Sequence, residues 1–400
     1  MPEAKLLTLR VLQDAVRGTA VAFRCVSELQ PAGGQGDKVF PPTYAGAVYA
    51  KEQRRVPGRE QPVECVLLDS VQAQANRMEE ALQAAVDEGR LTIPVIEVDF
   101  SGADKSGLLT AIRKVTSLQA PHRIADAILR DSLLGGKPFR QTDEGKDLDT
   151  VSLANATALY ELCPTALVFG MWDSTGPKGG MGAKFQRAMV SEIVGTDAVY
   201  GVKTSSRIDP LQIRAAVKVV KGDGTWAIAR DPQAKGAISP SEVNHGNIPP
   251  DVSDGGVTIS SAEQTVTLSL PALRRLQFPL NGKVDVKVNV AGRTVLAALG
   301  LCAAALAAEK GFDLRSRCLL WPTGRMEWEL LDQPGQTPTR LALEARTAID
   351  VLNEAVTAAK GLGLGWRTEP LVLKPAPQLV ELVKKSQELA AASGGGEEGE

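Results

Sequence analysis

Histidine and aromatic residues are scarce in this chain of 400 residues. It has two histidines, His122 and His245, and aromatic side chains make up 4% of the sequence. A zinc site needs about four nitrogen or sulfur ligands close together, which two histidines cannot supply without carboxylates. We therefore expect no metal site, no other cofactor and no catalytic residue set.

Paired cysteines and long apolar runs are also missing. The five cysteines are far apart and form no C-x-x-C motif, which predicts buried thiols in a reducing compartment. Residues 1–10 are charged at both ends and do not resemble a signal peptide. The longest apolar run, 294–308, has 15 residues, fewer than the ~20 that span a bilayer. These features predict a cytoplasmic protein with a buried helix at 294–308 and no contact with membranes.

The sequence contains no complete nucleotide-hydrolysis motif. Residues 176–184 read GPKGGMGAK, so Ala183 separates Gly182 from the lysine, and Phe185 stands where a hydroxyl would hold magnesium. A G-x-S-x-G nucleophile motif is absent as well, so a Ser-His-Asp hydrolase has no support. The net charge of −2 argues against binding through overall positive charge and favours local basic patches.

The most informative segment runs from residue 165 to residue 195. A hydrophobic strand is predicted over 165–172, followed by a loop with four glycines and a helix that starts at Lys184. In that helix Phe185, Met189 and Ile193 recur at i, i+4 and i+8, the spacing of a side that faces the core.

The opposite side of this predicted helix would be exposed and polar. It carries Lys184, Arg187 and Ser191 at i, i+3 and i+7. The free amide groups of a helix start, together with the glycine loop around Gly180 and Gly182, suit a phosphate. This surface is predicted to bind phosphate groups.

Two further predicted helices carry polar residues near their starts. Asn76 and Arg77 lie early in a helix over 70–89, and His122 and Arg123 open a helix that ends before residue 135. Each group can hold a phosphate or can be an ordinary solvated surface. Because three helix starts share this character and none has a catalytic pair, a polyanion-binding surface is the better interpretation.

A fourth group lies in the segment 31–62, which is rich in glycine, proline and charge. Its basic residues are Lys51, Arg54, Arg55 and Arg59. Tyr44 and Tyr49 precede them, and mixed aromatic and basic residues on a loop suit single-stranded nucleic acid. The alternative is a solvated charged surface.

Strands, helices and hairpins alternate without a regular βα repeat, which predicts an α+β fold with antiparallel sheet. A ferredoxin-like order can be traced through 63–68, 70–89, 91–99 and 165–195. We predict a discontinuous core of residues 1–202 and 261–392, with 31–62 as a protruding loop or hairpin. Residues 203–260 form a separate insertion, and 393–400 a disordered acidic tail.

Several of these segments resemble one known family, the backbone subunit of type I-G (formerly I-U) CRISPR Cascade complexes. The similar segments are SVQAQANRME (70–79), HRIADAILRDS (122–132), FGMWDS (169–174), GAKFQRAMVSEI (182–193) and EVNHGNIPP (242–250). They follow one another over roughly residues 60–330. The resemblance implies a modified ferredoxin-like (RRM-type) palm of the RAMP superfamily, with inserted finger and thumb β-hairpins. The thumb is expected within 203–260, with 31–62 as the rival.

The resemblance also implies a function. Several copies of such a subunit polymerise along one guide RNA (crRNA) in a prokaryotic cytoplasm, hold its backbone and present its bases to target DNA. Its expected partners are further copies, the large and guide-processing Cascade subunits, and a helicase-nuclease recruited to the complex. The expected RNA contacts are Lys184, Arg187, Ser191, Asn76, Arg77, His122, Arg123, Gly180 and Gly182. Lys51, Arg54, Arg55, Arg59 and His245 are expected to contact RNA, DNA or a neighbouring copy.

Two other functions stay open at this point. The chain could be an RNA-processing endoribonuclease that uses His122 or His245 as acid or base. It could also be a sugar- or nucleotide-metabolising enzyme whose glycine loop binds a small phosphate.

Overall fold

The computed structural model describes residues 4–103, 109, 112–176, 181–222 and 225–392. Within them the helices are α1 (Leu9–Arg17), α2 (Val71–Asp87), α3 (Ala127–Arg130), α4 (Asp143–Asp147), α5 (Thr157–Leu162), α6 (Thr165–Phe169), α7 (Leu270–Arg274), α8 (Val286–Lys310), α9 (Ala345–Lys360) and α10 (Pro377–Ala392). The first strands are β1 (Lys5–Leu6), β2 (Ala22–Pro31), β3 (Thr43–Tyr44), β4 (Val48–Tyr49), β5 (Lys51–Arg54), β6 (Val63–Asp69), β7 (Ile96–Asp99), β8 (Lys114–Thr116), β9 (Ser132–Leu134), β10 (Lys137–Pro138), β11 (Met171–Trp172) and β12 (Lys184–Phe185). The others are β13 (Met189–Thr196), β14 (Val199–Arg207), β15 (Val219–Gly222), β16 (Thr225–Ile228), β17 (Ile248–Thr258), β18 (Ser261–Ser269), β19 (Phe312–Arg315), β20 (Cys318–Pro322), β21 (Trp328–Leu331), β22 (Thr339–Ala342) and β23 (Leu371–Pro375). The acidic tail predicted at 393–400 lies outside the described residues.

The largest sheet has ten strands and is mostly antiparallel. Its main path runs β1-β22-β21-β2-β18-β13-β6-β5, with β19 and β20 attached beside β2. Helices α2, α8 and α9 pack with α1 over the sheet, and we call this sheet with its four helices the palm. The α+β class is confirmed, and the arrangement is compatible with a ferredoxin-like fold.

One strand of the ferredoxin-like order traced through the sequence belongs to another sheet. The strand predicted at 91–99 forms as β7, but β7 belongs to a second sheet of order β10-β9-β23-β7-β8. There it pairs in parallel with β23, which lies more than 250 residues further along the chain. The error arose because a pattern of apolar residues predicts a strand but not the sheet that contains it.

Helix α8 is the centre of the palm. Alanine and leucine, the strongest helix formers, dominate its second half, and Asp285 caps its start by accepting from the Lys287 backbone N–H. It is long and apolar enough to cross a membrane by length and composition alone, but 78% of its apolar window is buried inside the protein. The buried helix predicted at 294–308 is therefore confirmed.

The predicted burial of the cysteines is also confirmed. All five are buried and free: Cys25, Cys65, Cys163, Cys302 and Cys318. Burial raises the pKa of the Cys302 thiol to about 12, because its thiolate would lack solvation there.

The elements predicted between residues 165 and 195 are wrong. Residues 165–172 were expected to be a strand, but they form helix α6 and then β11. The helix expected from Lys184 is replaced by β12 and β13. In β13 the side chains of Met189 and Ile193 are buried and Val190 is exposed, as in a strand with one face on the core.

Of the helices predicted at 70–89 and from His122, the structure contains the first but not the second. Ser70 caps α2 by accepting from the Ala73 N–H, so the helix predicted at 70–89 is confirmed. The helix predicted to open at His122 is instead a short 3-10 turn, helix α3 and strand β9. The extended backbone of Asp126 ends the turn, and its carboxylate then caps α3.

A long two-stranded ribbon leaves the palm after β13. Strands β14 and β17 pair antiparallel with each other and lie outside the two larger sheets. At ~3.3 Å per residue, the 11 residues of β17 extend about 36 Å. At its end the ribbon carries residues 208–222 and 225–247, which include β15 and β16, and we call the described residues between 199 and 258 the ribbon.

Candidate nucleic-acid interface

The β11–β12 hairpin places an aromatic ring and a cation side by side on the surface. Trp172 pairs with Lys184 across the two strands. The Trp172 side chain is 53% exposed, and the Lys184 ammonium lies 5.1 Å from the centroid of its ring. An exposed ring can stack on a base while the neighbouring cation meets a phosphate. Gly182 lies in the loop between the strands, and Gly180 lies outside the described residues.

Arg187 stands beside this hairpin. Its side chain is exposed, and its stem lies against Gly170, where an added Cβ would be only 3.0 Å from Arg187 Cγ. Gly170 also has a φ of +87°, a conformation that favours glycine. The tight turn after α6 therefore allows Arg187 to lie close to the hairpin that carries Lys184.

Ser191 does not belong to this exposed surface, contrary to the prediction. It is buried in β13, and its hydroxyl donates a 2.8 Å hydrogen bond to Gln74 Oε1 of α2. In a strand, residue 191 shares the inward face with Met189 and Ile193 rather than the outward face. Ser191 therefore joins the sheet to α2.

Arg123 is buried as well, and it supports the hairpin from inside. Its guanidinium donates two 2.7 Å hydrogen bonds to the Glu79 carboxylate and a third, of 3.0 Å, to the carbonyl of Gly170. Burial raises the pKa of Glu79, and the charge of Arg123 opposes that rise. Arg123 thus ties the turn before the hairpin to α2, while its neighbour His122 is exposed.

A second, half-buried arginine holds the other side of the same hairpin. Arg140 donates to Asp149 at 2.5 Å and to Asp173, the residue after β11, at 2.9 Å. Asp173 is only 6% exposed, so its charge is compensated inside the protein. No local pattern predicts the contact between Arg140 and Asp173, because the two residues lie 33 positions apart.

The two predicted contacts on α2 point in different directions. Asn76 is exposed. Arg77 turns inward and donates at 2.8 Å to Asp69, a carboxylate with no exposed surface. Arg315 meets the same carboxylate at 3.0 Å, so Asp69 holds two arginines. Asn76 remains available to a ligand, whereas Arg77 has a structural partner.

The basic cluster at 51–59 is largely neutralised by local ion pairs. Arg54 pairs with Glu52 and with Glu192, and its hydrogen bond to Glu192 raises its pKa. Arg59 pairs with Asp197 at 3.0 Å. Lys51 lies on the ring of Tyr200, 3.6 Å from its centroid, and Arg55 is exposed.

The segment EVNHGNIPP (242–250) builds the end of the ribbon. Asp209 is buried there and accepts hydrogen bonds from the backbone N–H groups of Leu211, Ile213 and Gly246. Burial opposes its ionisation, but these three donors outweigh the penalty and lower its pKa. Arg207 donates to the carbonyl groups of His245 and Gly246. These contacts hold the residues before β17 against the end of β14. We call residues 207–222 and 225–247 the tip of the ribbon.

The tip carries basic and apolar side chains that sequence reasoning missed. Between residues 207 and 235 the chain has six basic and three acidic residues, an excess that a charge count over this window could have shown. The basic ones are Arg207, Arg214, Lys218, Lys221, Arg230 and Lys235. Trp226 is 43% exposed and meets the His245 ring edge-on at 5.4 Å. Ile208 and Leu211 are 86% and 73% exposed.

Within the part of the chain that the structure describes, no group of three or more His, Cys, Asp or Glu side chains is placed to hold a metal ion. The exposed side chains described above can take part in stacking, charge pairing and hydrogen bonding.

Part of the chain matches a known protein family. Residues 23–200 match the model of a family described as CRISPR-associated protein GSU0053. The match supports a CRISPR-associated (Cas) protein with a role in CRISPR defence. It includes α2, the β11–β12 hairpin and the start of the ribbon, whereas most of the ribbon and α8 to α10 lie beyond it. None of the curated proteins compared with the chain matches it.

Proposed function

We propose that this chain is a non-catalytic Cascade backbone subunit of type I-G that polymerises along CRISPR guide RNA. It holds the phosphate backbone and leaves bases free to pair with target DNA in antiviral defence. The observation that carries the proposal is the exposed hairpin with Trp172, Lys184 and Arg187, which lies inside the segment that matches a CRISPR-associated family. A ring beside two cations suits a single strand, whose bases stack and whose phosphates pair.

The geometry of the hairpin supports binding rather than catalysis. Two arginines, the buried Arg123 and the half-buried Arg140, fix its two sides, so its exposed groups are held in place before a ligand arrives. Prior order of this kind lowers the entropic cost of binding. Lys184 and Arg187 are assigned to guide phosphates, and Asn76 and His122 extend the surface.

The ribbon is assigned the role of the thumb that the resemblance implies. It projects from the palm and bears basic and apolar side chains, including Trp226, that have little packing around them. Large exposed apolar side chains on an extended element mark a binding surface. The further partners proposed for the assembly are neighbouring copies, the large and guide-processing Cascade subunits, and a helicase-nuclease.

Purification after co-expression with a CRISPR array tests this function. The expected result is a high 260/280 nm absorbance ratio and, on sequencing, array-derived RNA of defined length. Partner subunits are added in a parallel preparation, because assembly can depend on them. Protein free of nucleic acid in both preparations would contradict the proposal.

The same material separates binding from RNA processing. Purified protein is incubated with repeat RNA in EDTA across a range of pH, beside the variants His122→Ala and His245→Ala. We expect intact RNA in every sample. Cleavage that either variant abolishes would favour the endoribonuclease.

A further inference from the structure

The base of the ribbon is covered by residues of the segment 31–62. Val39 and Val257 exchange two backbone hydrogen bonds, of 2.9 and 2.8 Å, and form an isolated bridge between the segment and β17. Both valines are buried in a small second core with Ile259 and Val66. The segment is therefore fixed to the ribbon where the ribbon leaves the palm.

Lys38 crosses the ribbon at this point. Its stem passes over two glycines: a Cβ added to Gly256 would lie 2.4 Å from Lys38 Cδ, and one added to Gly201 would lie 3.2 Å from Cε. Its ammonium donates a 2.7 Å hydrogen bond to the carbonyl of Val202. Gly256 also has a φ of +78°, so glycine is favoured there on two grounds. One lysine thereby contacts both strands of the ribbon.

Two more contacts from the same segment reach the same place. The Tyr49 hydroxyl accepts a 2.8 Å hydrogen bond from the Gly256 N–H, and its ring stacks on Tyr200 at 6.4 Å. Lys51 lies 3.6 Å from the centroid of the Tyr200 ring on β14. We call Lys38, Val39, Tyr49 and Lys51 the base clamp.

We propose that the base clamp, and Lys38 in particular, sets the direction of the ribbon relative to the palm. A two-stranded ribbon is weakly stable by itself, and bulges bend it locally. This ribbon has register shifts between Tyr200 and Val202 and between Ser205 and Arg207. Glycines at its base would let it pivot, and the clamp fills the space over them. Lys38 is thus a residue that positions the ribbon, and the segment 31–62 sets the direction of the ribbon relative to the palm.

That the direction of the ribbon matters for RNA binding rests on the proposed function. The direction of the ribbon relative to the palm can be measured without RNA. Spin labels are placed at Ser205→Cys on β14 and Glu354→Cys on α9, both exposed positions. The five native cysteines are buried and should remain unlabelled. Pulsed electron paramagnetic resonance on the free chain then gives the distribution of distances between palm and ribbon.

Lys38→Ala and Gly256→Ala should each broaden this distribution, and Lys38→Met, which keeps the stem without its donor, should have an intermediate effect. The matched control is Lys203→Ala. Lys203 lies on the same ribbon against Gly255 and carries the same charge, but its packing is within the ribbon itself. This control should keep the narrow distribution of the parent.

Three outcomes would overturn the inference. The first is a parent-like distribution of label distances in both Lys38→Ala and Gly256→Ala, and the second is an equally broad distribution in Lys203→Ala. The third is a lower melting temperature of Lys38→Ala without a change in its distribution of label distances. Failure of the proposed function appears separately, as absence of guide RNA from the parent protein, and does not alter the distance measurement.

Discussion

The ion pair that Arg123 makes with helix α2 of the palm is buried, whereas basic side chains at the end of the ribbon are exposed. Arg123 is 6% exposed and meets Glu79, while Lys221 and Arg230 face solvent. Apolar residues divide in the same way, since Leu299 of α8 has no exposed surface and Ile228 of the ribbon is 68% exposed. Burial of this kind stabilises the palm, whereas the ribbon exposes the surface that we propose binds RNA.

The largest effect on stability should come from breaking a buried pair in the palm. Arg123→Ala leaves the Glu79 carboxylate buried without its partner, and we expect the free energy of unfolding to fall by about 3–5 kcal/mol. Because burial raises the pKa of Glu79 above its ordinary value, this loss should shrink as the pH is lowered and the carboxyl becomes neutral. Urea denaturation at several pH values measures both.

The control for this prediction is Arg10→Ala. Arg10 is 92% exposed and pairs weakly with Asp14, so its removal should cost less than ~0.5 kcal/mol. Equal losses in the two variants would show that the buried pair of the palm has no special role in stability.

The largest effect on binding should come from the hairpin. Lys184→Glu combined with Arg187→Glu replaces two exposed cations by anions next to the proposed phosphates. We expect loss of RNA-bound assembly on a sizing column with a folded monomer retained. The matched pair Arg346→Glu and Lys360→Glu lies on α9, where both side chains are exposed, and should assemble normally. Normal assembly of the hairpin variant would refute this site.

Removing charge from the ribbon should weaken binding less and make it less dependent on salt. If Lys221, Arg230 and Lys235 each contact a phosphate, replacing all three by alanine should reduce the salt slope of log K by about 2, since each single-strand contact contributes ~0.7. Filter binding at several salt concentrations measures the slope. A slope equal to that of the parent would remove the ribbon from the phosphate surface.

The smallest of the four effects is expected from the exposed ring of the hairpin. Trp172→Ala should weaken RNA binding by about 1–3 kcal/mol, the usual contribution of one stacked base. Trp172→Phe keeps a flat ring and should recover most of the loss. Equal binding by both variants and the parent would mean that Trp172 does not stack on a base.

The sequence predicted the parts of the palm whose patterns are long and regular. Helix α2, with its Ser70 cap, and the buried helix α8 follow from apolar spacing and composition alone. The error at β13 has a simple origin. Residues four apart share one face of a strand and nearly one face of a helix, so Phe185, Met189 and Ile193 fit both. A strand is indicated by alternating apolar and polar residues. That alternation is not visible here, because Ser191 is polar although its side chain is buried.

The candidate site was only partly predictable for a related reason. Lys184 and Arg187 were found because they follow a glycine loop, and both are exposed. The inward direction of Arg123 depends on Glu79, which lies 44 residues away, and no local pattern reveals it. The basic tip of the ribbon was overlooked because its residues lie in a segment without periodicity.

Crosslinking of the co-purified RNA to the protein by ultraviolet light, with the attached peptides identified by mass spectrometry, tests the central contrast most directly. We expect crosslinks in the β11–β12 hairpin, at the neighbouring Arg187 and in the ribbon, including Trp172 and Trp226. Crosslinks confined to the palm helices or to residues 51–59 would contradict the assignment of the hairpin and the ribbon as the surface that holds RNA.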